Sequence, residues 1–309
     1  MGKQSLSIFN FSKFIIKIAL LILIFGLCLN YIFEEKIIFK SEISGAYKIN
    51  RIINETKANE IPIFGSSLAL RSFVPSILGK NYFNYGIAGT QANIWLFFLE
   101  QELQKEKSTP IIINYGLRGF VKTDGDMGSY IPNWKKTKSI LNNQGKFYYN
   151  IPFIKYFGKF ELYTKYFFNN KINLTKVTDR GGSFDKIKLT QKKFQQLVSK
   201  RLNSKASFRL DKELLLKFNE LVESTSRHII FVVTPFHKSY FNKFTSLDLV
   251  NDHLASLDAK KNIKVIDLRH FITKDEMFKN TTHLNYNGAV EFSKKLNERL
   301  TALIISNTE

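Results

Sequence analysis

Hydrophobic residues follow three different rhythms along this chain. From Ile15 to Phe33 they run almost unbroken, interrupted only by Lys17 and Asn30, and about 20 such residues suffice to cross a bilayer. From about residue 60 to 119, and again from about 207 to the end, short apolar runs alternate with stretches in which apolar residues recur at helical spacing. Between Phe120 and about Ala206 neither rhythm holds.

The second regime predicts elements directly. Ile61 to Phe64, the short run ending at Asn84, the β-branched run Ile111–Ile112–Ile113, His228 to Thr234 and Ile263 to Leu268 read as strands. The continuous apolar character of several marks strands buried on both faces of a parallel sheet. Helices are expected over roughly Gln91 to Lys107 with Thr90 as cap, Asp211 to Arg227, Leu247 to Leu257 and Asn287 to Ser306. Strands alternating with helices imply an α/β fold with its sheet covered on both sides. The expected division is an anchor over 1–33, a polar stalk with a short helix over 34–59, and an α/β domain over 60–309. An inserted helical region of about 120–206 interrupts that domain, although two independent domains also fit the length. Dense aromatics between Phe147 and Phe168 make either the insertion's own small core or a platform over a site, and Arg180-Gly181-Gly182-Ser183 reads as a flexible turn.

The apolar first run reads as a retained transmembrane helix with a cytoplasmic N-terminus and an exported domain. Lys3, Lys13 and Lys17 precede it or open it and Glu34 and Glu35 follow, although Lys36 and Lys40 weaken the asymmetry. No small-x-small cleavage site follows, and Leu27 stands where a lipoprotein signal before Cys28 needs a small residue. The lone Cys28 excludes an intramolecular disulfide. A net charge of +20 favours acidic partners in general. Its lysines are scattered, however, and no nucleic-acid-binding motif accompanies them.

Two distant polar segments supply the candidate chemistry. Gly65-Ser66-Ser67 follows the first strand, and Asn280-Thr281-Thr282-His283 precedes the last helix. In a parallel α/β sheet the loops at the carboxyl ends of the strands share one crevice. A serine hydroxyl needs a base to take its proton, and an imidazole needs a third group to orient it. Ser67 is then the nucleophile and His283 the base. Amides near Ser67, that of Leu68 among them, and the amide of Gly89 are the candidate oxyanion donors. No carboxylate–histidine cluster has metal-ligand spacing, and no metal or cofactor is expected.

These segments together resemble the SGNH/GDSL hydrolase superfamily, and within it the membrane-anchored bacterial branch of DltD-type and polysaccharide O-acetylation proteins. Gly65-Ser66-Ser67 is similar to the first block, Asn84-Tyr85-Gly86-Ile87-Ala88-Gly89 to the second, and Asn280 to Asn285 to the last. The resemblance implies a flavodoxin-like three-layer α/β/α fold, a serine esterase or O-acyltransferase working through an acyl-serine, and an acylated cell-envelope glycan or other acyl ester as substrate. It also implies a membrane-bound acyl-donor protein as partner. Two positions depart from the pattern. Asn280 stands where the family carries aspartate, and its amide can still orient the imidazole but not stabilise imidazolium, so some loss of rate is expected unless Asp275, Glu276 or Asp267 substitutes in space; and the third block, Gly-x-Asn-Asp, is reduced to Gly116-Leu117-Arg118-Gly119. Arg118 is either an oxyanion or acidic-substrate ligand or a surface arginine. Asn114 reads as a strand-end hydrogen bonder before it reads as a site residue, and His237 as a loop residue before a site residue. The departures leave a second reading open, a catalytically silent glycan-binding or scaffold protein of the same fold.

Overall fold

The sheet is built from the runs that the hydrophobic pattern marks. The computed structural model of the chain describes residues 2–122, 176–186, 190–201, 207–242 and 244–306. Five parallel strands form its centre: β1 (Ile61–Phe64), β2 (Tyr82–Asn84), β3 (Ile111–Asn114), β8 (Ile229–Val233) and β9 (Ile263–Asp267). Their spatial order is β2-β1-β3-β8-β9, the flavodoxin-like arrangement in which the chain reverses its direction of travel across the sheet beside the first strand.

Alternate side chains along each strand enter opposite layers. Phe64, Ile111, Ile113, Phe231 and Val233 pack with α2 (Gly45–Asn54), α5 (Ala92–Leu103), α7 (Lys212–Glu223) and α9 (Leu247–Asp258) through Ile49, Trp95, Phe98, Phe218 and Leu254. Ile63, Ile112, Ile230 and Val232 pack the other way. They meet α3 (Ser67–Ser72), α4 (Pro75–Leu78) and α10 (Tyr286–Ser306) through Ala69, Phe73, Leu78, Phe292 and Leu296. The result is a three-layer α/β/α domain. Asp211 caps α7 by accepting from the Leu214 N–H, as its place before an apolar-periodic stretch suggests. Thr90 does not cap α5: its hydroxyl donates to Ile87 O at 2.7 Å. The chain's own backbone serves that end, Val121 O taking the Ala92 N–H at 3.0 Å.

A 35-residue helix, α1 (Gly2–Lys36), precedes the domain and is long and apolar enough over Phe11–Lys36 to cross a membrane. The stretch expected as a stalk is instead part of the domain. Ile38, Ala46, Lys48, Ile49 and Ile52 are fully buried, Ile49 and Ile52 forming the apolar stripe that α2 packs on the sheet layer.

Residues 123–175, and with them the aromatic stretch at 147–168, lie outside the described residues. The described remainder of the insertion holds more than helix. Beside α6 (Gln191–Arg201) it has a short parallel pair, β4 (Gly119–Phe120) with β7 (Arg209–Leu210), and an antiparallel hairpin, β5 (Lys176–Asp179) with β6 (Gly182–Asp185). Arg180 and Gly181 turn that hairpin with φ of +37° and +85°, the two left-handed residues that a tight two-residue hairpin requires. It is therefore a fixed turn where the sequence suggests a flexible one, and all four residues of β6 are buried.

Candidate active site

The reversal of chain direction at β1 places the end of that strand at the crevice where open α/β sheets bind ligands. Gly65 leaves the strand at φ +148°, and a Cβ there would sit 2.8 Å from the Cβ atoms of both Ala69 and Asn114. Only glycine lets the chain turn this close to β3. Ser66 then takes the N-cap position of α3, its hydroxyl accepting from the Leu68 N–H at 3.3 Å. Ser67 is thereby the first residue of the helix, where an amide has no acceptor within the helix itself.

At the far end of the chain two short strands, β10 (Phe278–Asn280) and β11 (His283–Leu284), pair antiparallel with Asn280 opposite His283. The Thr281-Thr282 turn between them brings the amide side chain of Asn280 under the imidazole. Asn280 Oδ1 accepts from the backbone N–H groups of Thr282 and His283, each at 3.0 Å, and lies 3.1 Å from His283 Nδ1. Two backbone donors aimed at one atom identify it as the oxygen of the amide. With that oxygen as acceptor, Nδ1 donates the ring proton to it, Thr282 Oγ1 lying 3.2 Å from the same nitrogen, and Nε2 presents a lone pair. That lone pair faces Ser67 Oγ at 2.9 Å, across a sequence separation of 216 residues. The hydroxyl donates to the imidazole, the geometry in which the ring can accept the proton as the oxygen attacks.

Two of the three carboxylates named as stand-ins for Asn280 are committed elsewhere. Asp275 Oδ1 meets His237 Nε2 at 3.0 Å, and Asp267 Oδ2 accepts from Arg269 at 2.7 Å. Glu276 contributes its backbone carbonyl to Asn285.

Leu68 spends its amide on the helix cap. Gly89, exposed and at φ +79° with open space around it, stands in the turn after β2. Asn114 is buried, donates to Val232 O at 3.2 Å, and has an Oδ1 with no hydrogen-bond partner among the described residues. Arg118 is exposed, and its carbonyl pairs with Arg209 N in the β4–β7 ladder. His237 is buried between Phe194 and Phe278 and caps the short α8 (Lys238–Phe241), with Ser239 Oγ at 2.7 Å from its Nδ1. Its amide donates to Thr281 O, so it braces the β10–β11 hairpin from behind.

Sequence reasoning passed over two residues that hold this arrangement. Asn84, fully buried, donates to Ala69 O and Phe73 O at 2.8 and 3.1 Å and accepts from Gly86 N, joining the turn after β2 to α3. A polar residue closing a buried strand was the available signal. Ser293 of α10 accepts from Val74 N and donates to Ser72 O.

No family model and no curated protein matches the chain. Solved structures are similar to it at low identity. One is a chain from Streptococcus pneumonia provisionally named a platelet activating factor, 13% identical with a TM-score of 0.43, the match covering 89% of this chain and 99% of that one. Another is a protein from Desulfitobacterium hafniense DCB-2 provisionally named a lipolytic protein of the G-D-S-L family. It is 12% identical with a TM-score of 0.38, and 78% of this chain and 98% of that chain are covered.

Proposed function

We propose that this protein is a serine esterase or O-acyltransferase that works through an acyl-Ser67 intermediate, as the resemblance to SGNH/GDSL hydrolases implies. One observation carries the reading: Ser67 Oγ rests 2.9 Å from an imidazole nitrogen whose tautomer is set by Asn280 on the ring's other side. In the proposed reaction Ser67 Oγ attacks the ester carbonyl while His283 Nε2 takes its proton. The same proton passes to the departing alkoxide, and water or a sugar hydroxyl then resolves the acyl-enzyme. The Ser67 amide at the head of α3 and the Gly89 amide are the proposed donors to the tetrahedral oxygen.

With α1 as a retained anchor and the domain exported, the substrate in this reading is an acylated cell-envelope glycan or another envelope acyl ester. A membrane-bound acyl-donor protein is the proposed partner. The second reading, a silent glycan-binding or scaffold protein, draws its support from the amide at Asn280, which carries no charge to stabilise imidazolium. A fluorophosphonate probe separates them. Labelling of the full chain that disappears in Ser67→Ala, together with loss of p-nitrophenyl acetate turnover and a change in envelope O-acyl content, supports the enzyme. A chain that resists the probe and turns over no ester is a binder.

A further inference from the structure

The Ser67–His283 contact joins two segments that hang from different strands, α3 from β1 and the β10–β11 hairpin from beyond β9. One buried carboxylate touches both. Asp185, at the foot of β6 and 8% exposed in its side chain, accepts through Oδ2 from Arg71 Nη1 and from Lys279 Nζ, the latter at 2.7 Å. Arg71 lies one helical turn beyond Ser67, on the same face of α3. Lys279 is the residue before Asn280.

The rest of the β5–β6 hairpin is fastened so that this carboxylate cannot drift. At its turn the fully buried Lys48 donates to Gly181 O at 2.7 Å and to Gly86 O at 2.5 Å. Asn84 N donates to Arg180 O at 2.9 Å, and Asp179 Oδ2 accepts from Ser76 N at 2.7 Å. We propose that Asp185 is a positioning residue: it draws Arg71 and Lys279 to one point and so keeps the Ser67 hydroxyl within reach of the His283 ring. This rests on the esterase reading for its purpose, though not for its geometry. Without the carboxylate, two cations face each other across the seam and push the nucleophile helix and the base hairpin apart.

The test uses a thiol as reporter in the full chain. In a Cys28→Ser background, Ser67→Cys places a thiol against His283, and iodoacetamide alkylation followed against pH gives the midpoint of thiolate formation. A nearby imidazole holds that midpoint below the ordinary thiol value of about 8.5. Adding Asp185→Asn is expected to move it upward by about one unit, towards that ordinary value, and to slow fluorophosphonate labelling of the Ser67 protein at least tenfold. Direct electrostatics alone has the opposite sign, because uncovering Arg71 and Lys279 favours the thiolate. An unmoved or lowered midpoint therefore overturns the proposal. Should Asp185→Asn fail to fold by circular dichroism, Lys279→Met breaks the same link from a more exposed side and is read by the fluorophosphonate labelling rate, since losing a cation raises the thiol midpoint by itself; an unslowed rate overturns the proposal. A midpoint that moves in a protein whose Ser67 never labels keeps the positioning role and removes the esterase reading; labelling with an unmoved midpoint does the reverse.

Discussion

Asn280 Oδ1 lies 3.1 Å from His283 Nδ1 and takes the backbone N–H groups of Thr282 and His283 as well. An amide in this position fixes the tautomer but brings no negative charge to the imidazolium that the proposed attack by Ser67 would form. Asn280→Asp keeps the acceptor and adds the charge, and is expected to raise the fluorophosphonate labelling rate about tenfold. Asn280→Ala removes the tautomer's anchor and should cost about 10² to 10⁴ in rate. Stopped-flow labelling of the three proteins checks both; equal rates for all three would show that the ring's orientation is set by something else.

The turn after β2 packs without clearance on α3. A Cβ at Gly86 would lie 2.5 Å from the backbone nitrogen of Leu70 and 2.8 Å from Ala69 Cβ. Gly86→Ala is expected to lose about 1–3 kcal/mol and to depress labelling at Ser67, because α3 must move to make room. Gly116→Ala, with nothing within 4 Å of the added atom, should stay within about 0.5 kcal/mol of the parent. Urea denaturation of the two variants gives the comparison.

His253 makes stability depend on mild acid. Burial among Phe120, Phe208 and Tyr115, whose hydroxyl is 2.7 Å from Nδ1, pulls the imidazole down to about 4. The unfolded chain takes up a proton near pH 6.5 while the folded one stays neutral, so stability is complete above 6.5 and falls as pH drops towards 4. The ring is only partly buried, which limits the total to about 1–2 kcal/mol after screening. His253→Gln keeps an acceptor for Tyr115 and should flatten this part of the urea-midpoint profile.

Lys48 acts at the other end of the scale. Complete burial holds its amine well below the ordinary lysine range, so beneath that range the folded chain holds this proton less tightly than the unfolded chain does. Stability from this residue therefore rises with pH until the ordinary lysine value near 10.5 is passed. Lys48→Met removes that slope and leaves the Gly86 and Gly181 carbonyls without their donor, so the deficit of the variant against the parent should widen from pH 7 to pH 9.5. Chemical unfolding at a series of pH values measures it.

Truncation locates the true start of the domain. A chain beginning at residue 37 keeps Ile38 and α2 and is expected to fold. One beginning at residue 60 exposes the faces that Ile49 and Ile52 cover, each contributing about 1.5–3 kcal/mol, and should aggregate. Size-exclusion chromatography of both settles the boundary.

The strands and the Ser67–His283 pairing were legible because each rests on a local signal: a β-branched run at Ile111–Ile113, or a polar block at a strand end. What stayed illegible depends on partners far away in sequence. Nothing local to Lys48 says that its ammonium will meet two carbonyls, one of them 133 residues on; in a polar stretch it reads as a solvated lysine. Arg180-Gly181 looks like any mobile glycine turn until Asn84 and Lys48 are seen to hold it. His237 and Asp275 are each unremarkable alone, and their hydrogen bond became visible only when β8 and the β10–β11 hairpin met.

A single residue, Ile37, separates the last residue of α1 from the fully buried Ile38. Such a joint has no slack. If α1 stays in the bilayer, the globe cannot swing outward on a leash to sample a thick wall; it rides at the lipid surface, and its crevice meets what diffuses in or docks onto that plane. Lengthening the joint with glycine and serine would then widen the zone of esters within reach, leaving turnover of a small free ester unchanged.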